Sequence, residues 1–506
     1  MAPTFTRADV ESDRVVDALV AGAFALDGPV ACHRLVLDTF DGHLAAAGLR
    51  LERRVVDGTA ALVLATADGG PPATLITDVI PEWPSDLPLG PFRARLADVT
   101  DDRALLPVLD LSSRLRTLTK TDARDKPVVC VEVHDEVRVD GSATSSPWLA
   151  EVIERTGHES AGASAAAALV RLGLDSTDDD LVAVVARDAG VSLEGHDTSP
   201  TVPLDPEEDA LVAFRRVLRH LAGVIEATIP GTLADHDAEF LHDLRVAVRR
   251  TRSVLTEGKG ILPADVRNAN RDFFRWLGQT TGPPRDLDVY LLGWDSYTAP
   301  VTDATPAALD RVRKELESRR RAAHRELGKA LRSAKVRDGL AEWQGWLGGD
   351  DVPAGGPAIG PIAVDRIERA QTTVVRAGRA IGPDSPAERL HDLRKDAKRL
   401  RYDLECFGSL FPAKPWRAFV DQLKALQDNL GEHQDAEVHL AYLRELAQDL
   451  HHRANVDTDT LLAMGRLTHH IDRRRRRERQ DFMDRWASYD TPTNARGLEK
   501  LLGSVR

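Results

Sequence analysis

Two histidine-led clusters of positive charge offer the clearest chemistry in this chain. One is His242, Arg245, Arg249, Arg250 and Arg252. The other is His391, Arg394, Lys395, Lys398, Arg399 and Arg401, with Tyr402 beside it. The second places five cations in the eight residues from Arg394 to Arg401. Guanidinium forks and ammonium point charges suit the oxygens of a multiply charged anion, and an imidazole adds a hydrogen bond. A divalent metal fits the histidines poorly, because each is followed by a turn of cations.

Helices must position these groups. With His391 at zero on a helical wheel, Arg394, Lys398 and Arg401 fall between about 280° and 340°. Lys395, Arg399 and Tyr402 take the other shoulder. Leu393, Leu400 and Leu404 gather opposite, near about 200°. The first cluster behaves alike, with Leu244, Val248 and Leu255 behind its basic face. Like charges at these spacings repel, and Asp392 and Asp396 lie outside the stripe. A face of this kind is expected to meet an anion rather than water alone. Ser385-Pro386-Ala387-Glu388 predicts a capped start for the second helix, with proline at the first helical position. Thr232 and Asp235 play that part less cleanly for the first.

The clusters are copies. Adding 149 takes His242 to His391, Arg245 to Arg394, Arg250 to Arg399 and Arg252 to Arg401. It also takes Pro263 to Pro412, Gly282 to Gly431 and Asp286 to Asp435. A glycine-rich stretch at 348–361 separates the halves, so the region reads as a helical repeat of about 207–347 and 361–506.

Charge is shared unevenly. The 506 residues carry a net charge of −13, but residues 1–200 hold 33 acidic and 18 basic side chains, leaving the rest slightly basic. The front end has β-like runs, "HRLVLDTF", "ALVLATA" and "KPVVCVEV", between turn clusters such as "ADGGPP". This predicts an α+β domain with an antiparallel sheet over 1–198, with one helix near Ala165, then a linker over 199–206. No apolar run reaches the ~18 residues of a membrane helix. No basic region followed by an apolar one opens the chain, and three scattered cysteines lack disulfide or zinc spacing. A cytoplasmic, reducing setting without membrane contact is expected.

The basic helices resemble the CHAD family, the histidine-bearing α-helical domain that binds inorganic polyphosphate. The pattern of a histidine, an arginine three later and then a basic pair occurs in both repeats, and "PPRDLDVY" (283–290) is similar to the family's Arg-Asp-Leu-Asp element. Gln434-Asp435 is its weaker copy. The resemblance covers about 207–506. It implies an all-α domain of two pseudo-twofold-related four-helix bundles, with both basic helices lining one polyphosphate groove. It also allows association with polyphosphate granules. The front end resembles the CYTH, or triphosphate-tunnel, fold through "LVLDTFDGHLAAAGLRLERR" (35–54), "LLPVLDLSSRLRTLTK" and "VVCVEVHDEV" (105–137). Its opening Glu-x-Glu-x-Lys strand is absent, Glu52 stands where an arginine is expected, and Arg114 and Arg116 survive. The resemblance therefore implies a degenerate tunnel domain.

Together these readings give a non-catalytic polyphosphate binder that needs no metal or other cofactor. Its rivals are a metal-dependent triphosphatase acting through the front domain and a nucleic-acid-binding protein. The first needs clustered carboxylates for magnesium or manganese. The second needs aromatic platforms among the cations, where Tyr402 stands alone. The run Arg473–Arg477 either extends the basic surface or is a solvated face.

Overall fold

A computed structural model describes residues 4–6, 10–67, 70, 72–141, 145–155, 157–199, 201–301, 305–349, 355–452 and 456–505. Parts of the "ADGGPP" turn and of the 348–361 stretch lie outside the described residues. The chain divides into two compact units, Met1–Asp197 and Thr198–Arg506.

The first unit is a nine-stranded antiparallel sheet. Its strands are β1 Thr4–Thr6, β2 Ala25–Asp38, β3 Leu49–Val56, β4 Thr59–Thr66, β5 Ala73–Ile76, β6 Leu106–Thr121, β7 Pro127–Val139, β8 Ser145–Glu154 and β9 Asp175–Thr177. They pair in the order β5-β4-β3-β2-β6-β7-β8-β1-β9. Helices α1 Ser12–Ala21, α2 His43–Ala46, α3 Pro91–Thr100, α4 Glu159–Arg171 and α5 Leu181–Ala189 accompany it. The three β-like runs expected from the sequence fall in β2, β4 and β7, and the helix near Ala165 is α4. Alternation along the strands sends apolar side chains outward to the helices. Val129, Val131 and Val133 pack against α1 and α4, while Leu109 and Leu111 pack against α5. The sheet curls until β8 faces β3 and β4 across a cavity of about 650 Å³.

The second unit is helical. Its first repeat comprises α6 Ala210–Ala234, α7 Ala238–Glu257, α8 Ala264–Thr280, α9 Gly282–Leu292, α10 Trp294–Thr298, α11 Pro306–Leu331 and α12 Ala334–Gly348. Its second comprises α13 Ile359–Arg379, α14 Ala387–Cys406, α15 Ala413–His452, α16 Thr458–Tyr489 and α17 Pro492–Leu502. Shifted by 149, α7 coincides with α14 end to end. The repeats differ where α8, α9 and α10 correspond to the single helix α15. Pro283 and Pro284 explain the break, since neither offers an N–H to the preceding turn and both fit a helix start. The second repeat has Glu432 and His433 there, and the helix runs on.

Apolar residues from both repeats share cores. One cluster joins α6, α7 and α8 to α13, α14 and the start of α15; another joins α9, α10 and α11 to the rest of α15 and α16. Leu244, Val248 and Leu255 are buried as their spacing requires, and so are Leu393, Leu400 and Leu404. The helix starts differ from expectation. Asp237, not Thr232 or Asp235, caps α7, accepting from the N–H groups of Glu239 and Phe240. Thr232 bonds back to Thr228, and Asp235 closes α6 in the left-handed conformation. Pro386 takes the cap position of α14, while Ser385 accepts from Gly382. Among the described residues, no helix is long and apolar enough to cross a membrane.

Candidate anion-binding site

The basic faces of α7 and α14 meet each other. Arg249 places its guanidinium 5.1 Å from the centre of the Tyr402 ring. Arg250 reaches from α7 to Glu405 on α14, donating from Nε at 3.2 Å and Nη2 at 2.9 Å. Arg399 reaches back from α14 to Glu257 at the end of α7, with Nη2 2.7 Å away. Arg250 and Arg399 are repeat equivalents, so the two bridges are reciprocal.

Beside these bridges lies an open cavity of about 310 Å³. Its wall holds Arg249 and Arg252 of α7, Arg271 and Arg275 of α8, and Lys395, Arg399 and Tyr402 of α14. Glu257 is the one carboxylate in that lining, and Arg399 and Arg366 already engage it. The cations crowd one another. Burial, together with Arg250 and Arg401, lowers the pKa of Arg249; burial, Arg275 and Arg271 lower that of Arg252. Lys398 is pushed down to about 8 by burial and by Arg394 and Arg249. Lys398 makes no hydrogen bond or ion pair with the described residues.

The remaining expected residues stand along the same helices, outside the cavity wall. His242 is half-buried on α7. Arg245 donates to the Gly278 carbonyl at 3.3 Å and is supported by the charge of Asp286. His391 pairs with Gln434, and Arg394 donates to Asp435 at 3.4 Å. The Asp286 and Gln434-Asp435 elements therefore steady the histidine and arginine ends of the stripe. Arg401 is held by Glu405 at 2.6 Å. Lys395, which does line the cavity, also forms an exposed pair with Asp392.

Sequence reasoning missed Arg271 and Arg275. They stand four apart on α8, the same spacing that marked the two recognised helices. The Arg473–Arg477 run does not line the cavity. Within it, Arg474 pairs with Glu432, Arg475 and Arg476 with Asp472, and Arg477 with Asp481.

Residues 215–444 match the family model described as the CHAD domain. The chain carries a CHAD domain. The match lies inside the 207–506 span expected from the two basic helices and includes both of them. Similarity to an uncharacterized protein of Mycobacterium tuberculosis is 28% identity over 279 residues, covering 51% of this chain and 52% of that protein. The chain thus spans about half the length of the curated relatives it matches. The CHAD domain of the plant Ricinus communis is similar at 25% identity and a TM-score of 0.46, covering 59% of this chain and 95% of that one. The putative adenylyl cyclase HpAC1 from Hippeastrum, described with a dominant triphosphatase activity, is similar at 17% identity and a TM-score of 0.27, covering 39% of this chain and all of that one.

The sheet unit that precedes the CHAD domain in the chain has a charged interior. Glu132, His134 and Glu151 bring potential ligand atoms within 4.8 Å of one another. The Arg34 guanidinium fills the space between them. Its Nη2 lies 2.9 Å from Glu151, 3.1 Å from His134 Nε2 and 3.4 Å from Glu132. Arg54 also pairs with Glu132. Burial would lower the Arg34 pKa, but Glu151, Glu52 and Glu132 overcome it and raise it. A divalent cation does not fit carboxylates already neutralised by a buried guanidinium. Strand β1 is Thr-Phe-Thr and adds no carboxylate. Arg114 and Arg116 do not line the cavity. They pair with Glu136 and with Asp13 and Asp135, because they alternate with Ser113, which faces His134.

Proposed function

We propose that the protein binds inorganic polyphosphate, without catalysis, through the cationic cavity between α7 and α14. The supporting observation is the cavity wall, where six arginine and lysine residues from both repeats face one engaged carboxylate. Such a wall offers several charge-assisted hydrogen bonds to successive phosphates, with arginine forks supplying direction. Crowding among the cations costs free energy in the unliganded protein, and a polyanion relieves it.

Nucleic acid is a weaker fit. Tyr402 is the aromatic ring in the cavity wall, and Arg249 already covers it. Base stacking therefore has no platform there. The triphosphatase activity described for the Hippeastrum protein is not transferred, since Arg34 stands among the front unit's clustered acidic groups. The test is a titration of the full chain and of residues 198–506 with polyphosphate, heparin, RNA and DNA at one salt concentration. Tightest binding of polyphosphate by both proteins is expected. Binding confined to residues 1–197 would overturn the assignment.

A further inference from the structure

The repeat register makes Arg252 and Arg401 equivalent, but their surroundings are not. Arg401 donates to Glu405 at 2.6 Å and to Gln427 at 3.4 Å. The first-repeat positions corresponding to Glu405 and Gln427 are Thr256 and Gly278. Thr256 has no charge and turns its hydroxyl back onto the Arg252 carbonyl at 2.9 Å. Gly278 has no side chain, and a Cβ there would stand 3.2 Å from Arg252 Nη1. Arg252 therefore remains on the cavity wall while Arg401 is tied down.

The same carboxylate acts twice. Glu405 Oε1 holds Arg401, and its Oε2 holds Arg250. Helix α8 adds to the imbalance. It supplies Arg271 and Arg275, whereas the equivalent positions on α15 are Val420 and Lys424. One half of the pseudo-twofold thus presents Arg252 and Arg271 without an ion pair among the described residues, beside Arg275, whose pair with Asp272 is exposed, whereas at the equivalent places the other half has Arg401 held by Glu405, an apolar Val420 and Lys424.

We infer that the polyanion is seated on one side of the pseudo-twofold only. It lies against α7 and α8 of the first repeat, with Lys395 and Arg399 reaching over from α14, and Glu405 denies it the equivalent half. This rests on the polyphosphate reading and adds which cations hold the chain. Glu405 lies between Arg250 and Arg401 and spends the charge of both locally. Glu257 does the same to Arg366 and Arg399 at the edge of the seat, and the other wall cations are left to the anion.

The test is a titration of the full chain with polyphosphate of one defined length at several salt concentrations. Arg271→Gln with Arg275→Gln is expected to weaken binding about tenfold or more. It should also make the slope of log affinity against log salt shallower by about two, by analogy with counterion release from nucleic acids. Lys424→Gln, at the equivalent place, is expected to stay within about twofold of the parent. Glu405→Thr gives the second repeat the residue of the first, and should tighten binding and steepen the slope. A double variant that binds like the parent, or Lys424→Gln weakening binding as much, overturns the one-sided seat. Should Glu405→Thr fail to fold, the comparison of α8 with α15 still decides. A parent chain that ignores polyphosphate fails earlier, at the functional reading itself.

Discussion

Arg249 and Lys398 hold the same place in the two repeats, 149 residues apart, and the guanidinium of the first helps to hold down the pKa of the second. Two like charges placed together by a repeat mark where the pseudo-twofold runs between α7 and α14. On the proposed polyphosphate reading, the arrangement makes binding sensitive to pH. Lys398 is pushed down to about 8, so it loses its proton as pH rises through that value. Polyphosphate favours the charged form. Affinity is expected to fall between pH 7 and pH 9, and Lys398→Met should flatten the fall.

The same shift governs stability, with the opposite sign. An unfolded lysine holds its proton to about pH 10.4. Between about 8 and 10 the unfolded chain therefore binds more protons than the folded one, and stability contributed by this site rises with pH. Thermal melts of the ligand-free protein should show Lys398→Met at least as stable as the parent at pH 7. The gap should narrow toward pH 10. A variant markedly less stable at pH 7 would mean that Lys398 has a partner in the fold.

Neighbouring cations on α7 should separate binding from folding. Arg250 and Glu405 form a largely buried bridge, with side chains 16% and 8% exposed. Arg250→Gln is expected to cost about 1–3 kcal/mol of stability. A double-mutant cycle with Glu405→Gln should return a coupling of about 1 kcal/mol or more. Arg249→Gln, which loses only its stacking on Tyr402, should change stability by less than about 1 kcal/mol. It should weaken polyphosphate binding and make the salt slope shallower by about one. Equal effects of the two variants on melting would contradict the division of roles.

How much of this was legible from residues alone follows from the range of each interaction. The basic faces of α7 and α14, and the leucines behind them, follow from spacing within one helix. The pairing of Arg250 with Glu405 and Arg399 with Glu257 does not, since it depends on how two helices cross. Glu257 and Glu405 sit near the helix ends, apart from the stripe they neutralise. Arg271 and Arg275 share the four-residue spacing of the other basic faces, but α8 lacks the leading histidine that sets α7 and α14 apart. In the front unit, the place of Arg34 was illegible. Glu132, His134 and Glu151 are 98 to 117 residues away from it in the chain. Only the curl of β2, β7 and β8 makes them neighbours.

Arg34 carries the last prediction, because it separates a non-catalytic front unit from a masked metal site. The residue is 4% exposed, and its guanidinium serves three carboxylates, Glu52, Glu132 and Glu151. Burial would raise the Glu132 pKa, yet His134, Arg54 and Arg34 hold that carboxyl well below its usual range. Removing the cation leaves buried negative charge uncompensated. Arg34→Met should therefore cost about 3–5 kcal/mol, read by denaturant unfolding of the front unit. Adding Glu151→Gln to it should recover part of the loss, because one of the orphaned charges is gone. Neither the parent nor the variants should hydrolyse ATP or tripolyphosphate with magnesium or manganese. Suppose instead that Arg34→Met is as stable as the parent and turns over tripolyphosphate with manganese. The acidic cluster would then be a metal site that Arg34 covers, and the front unit would be an enzyme held closed.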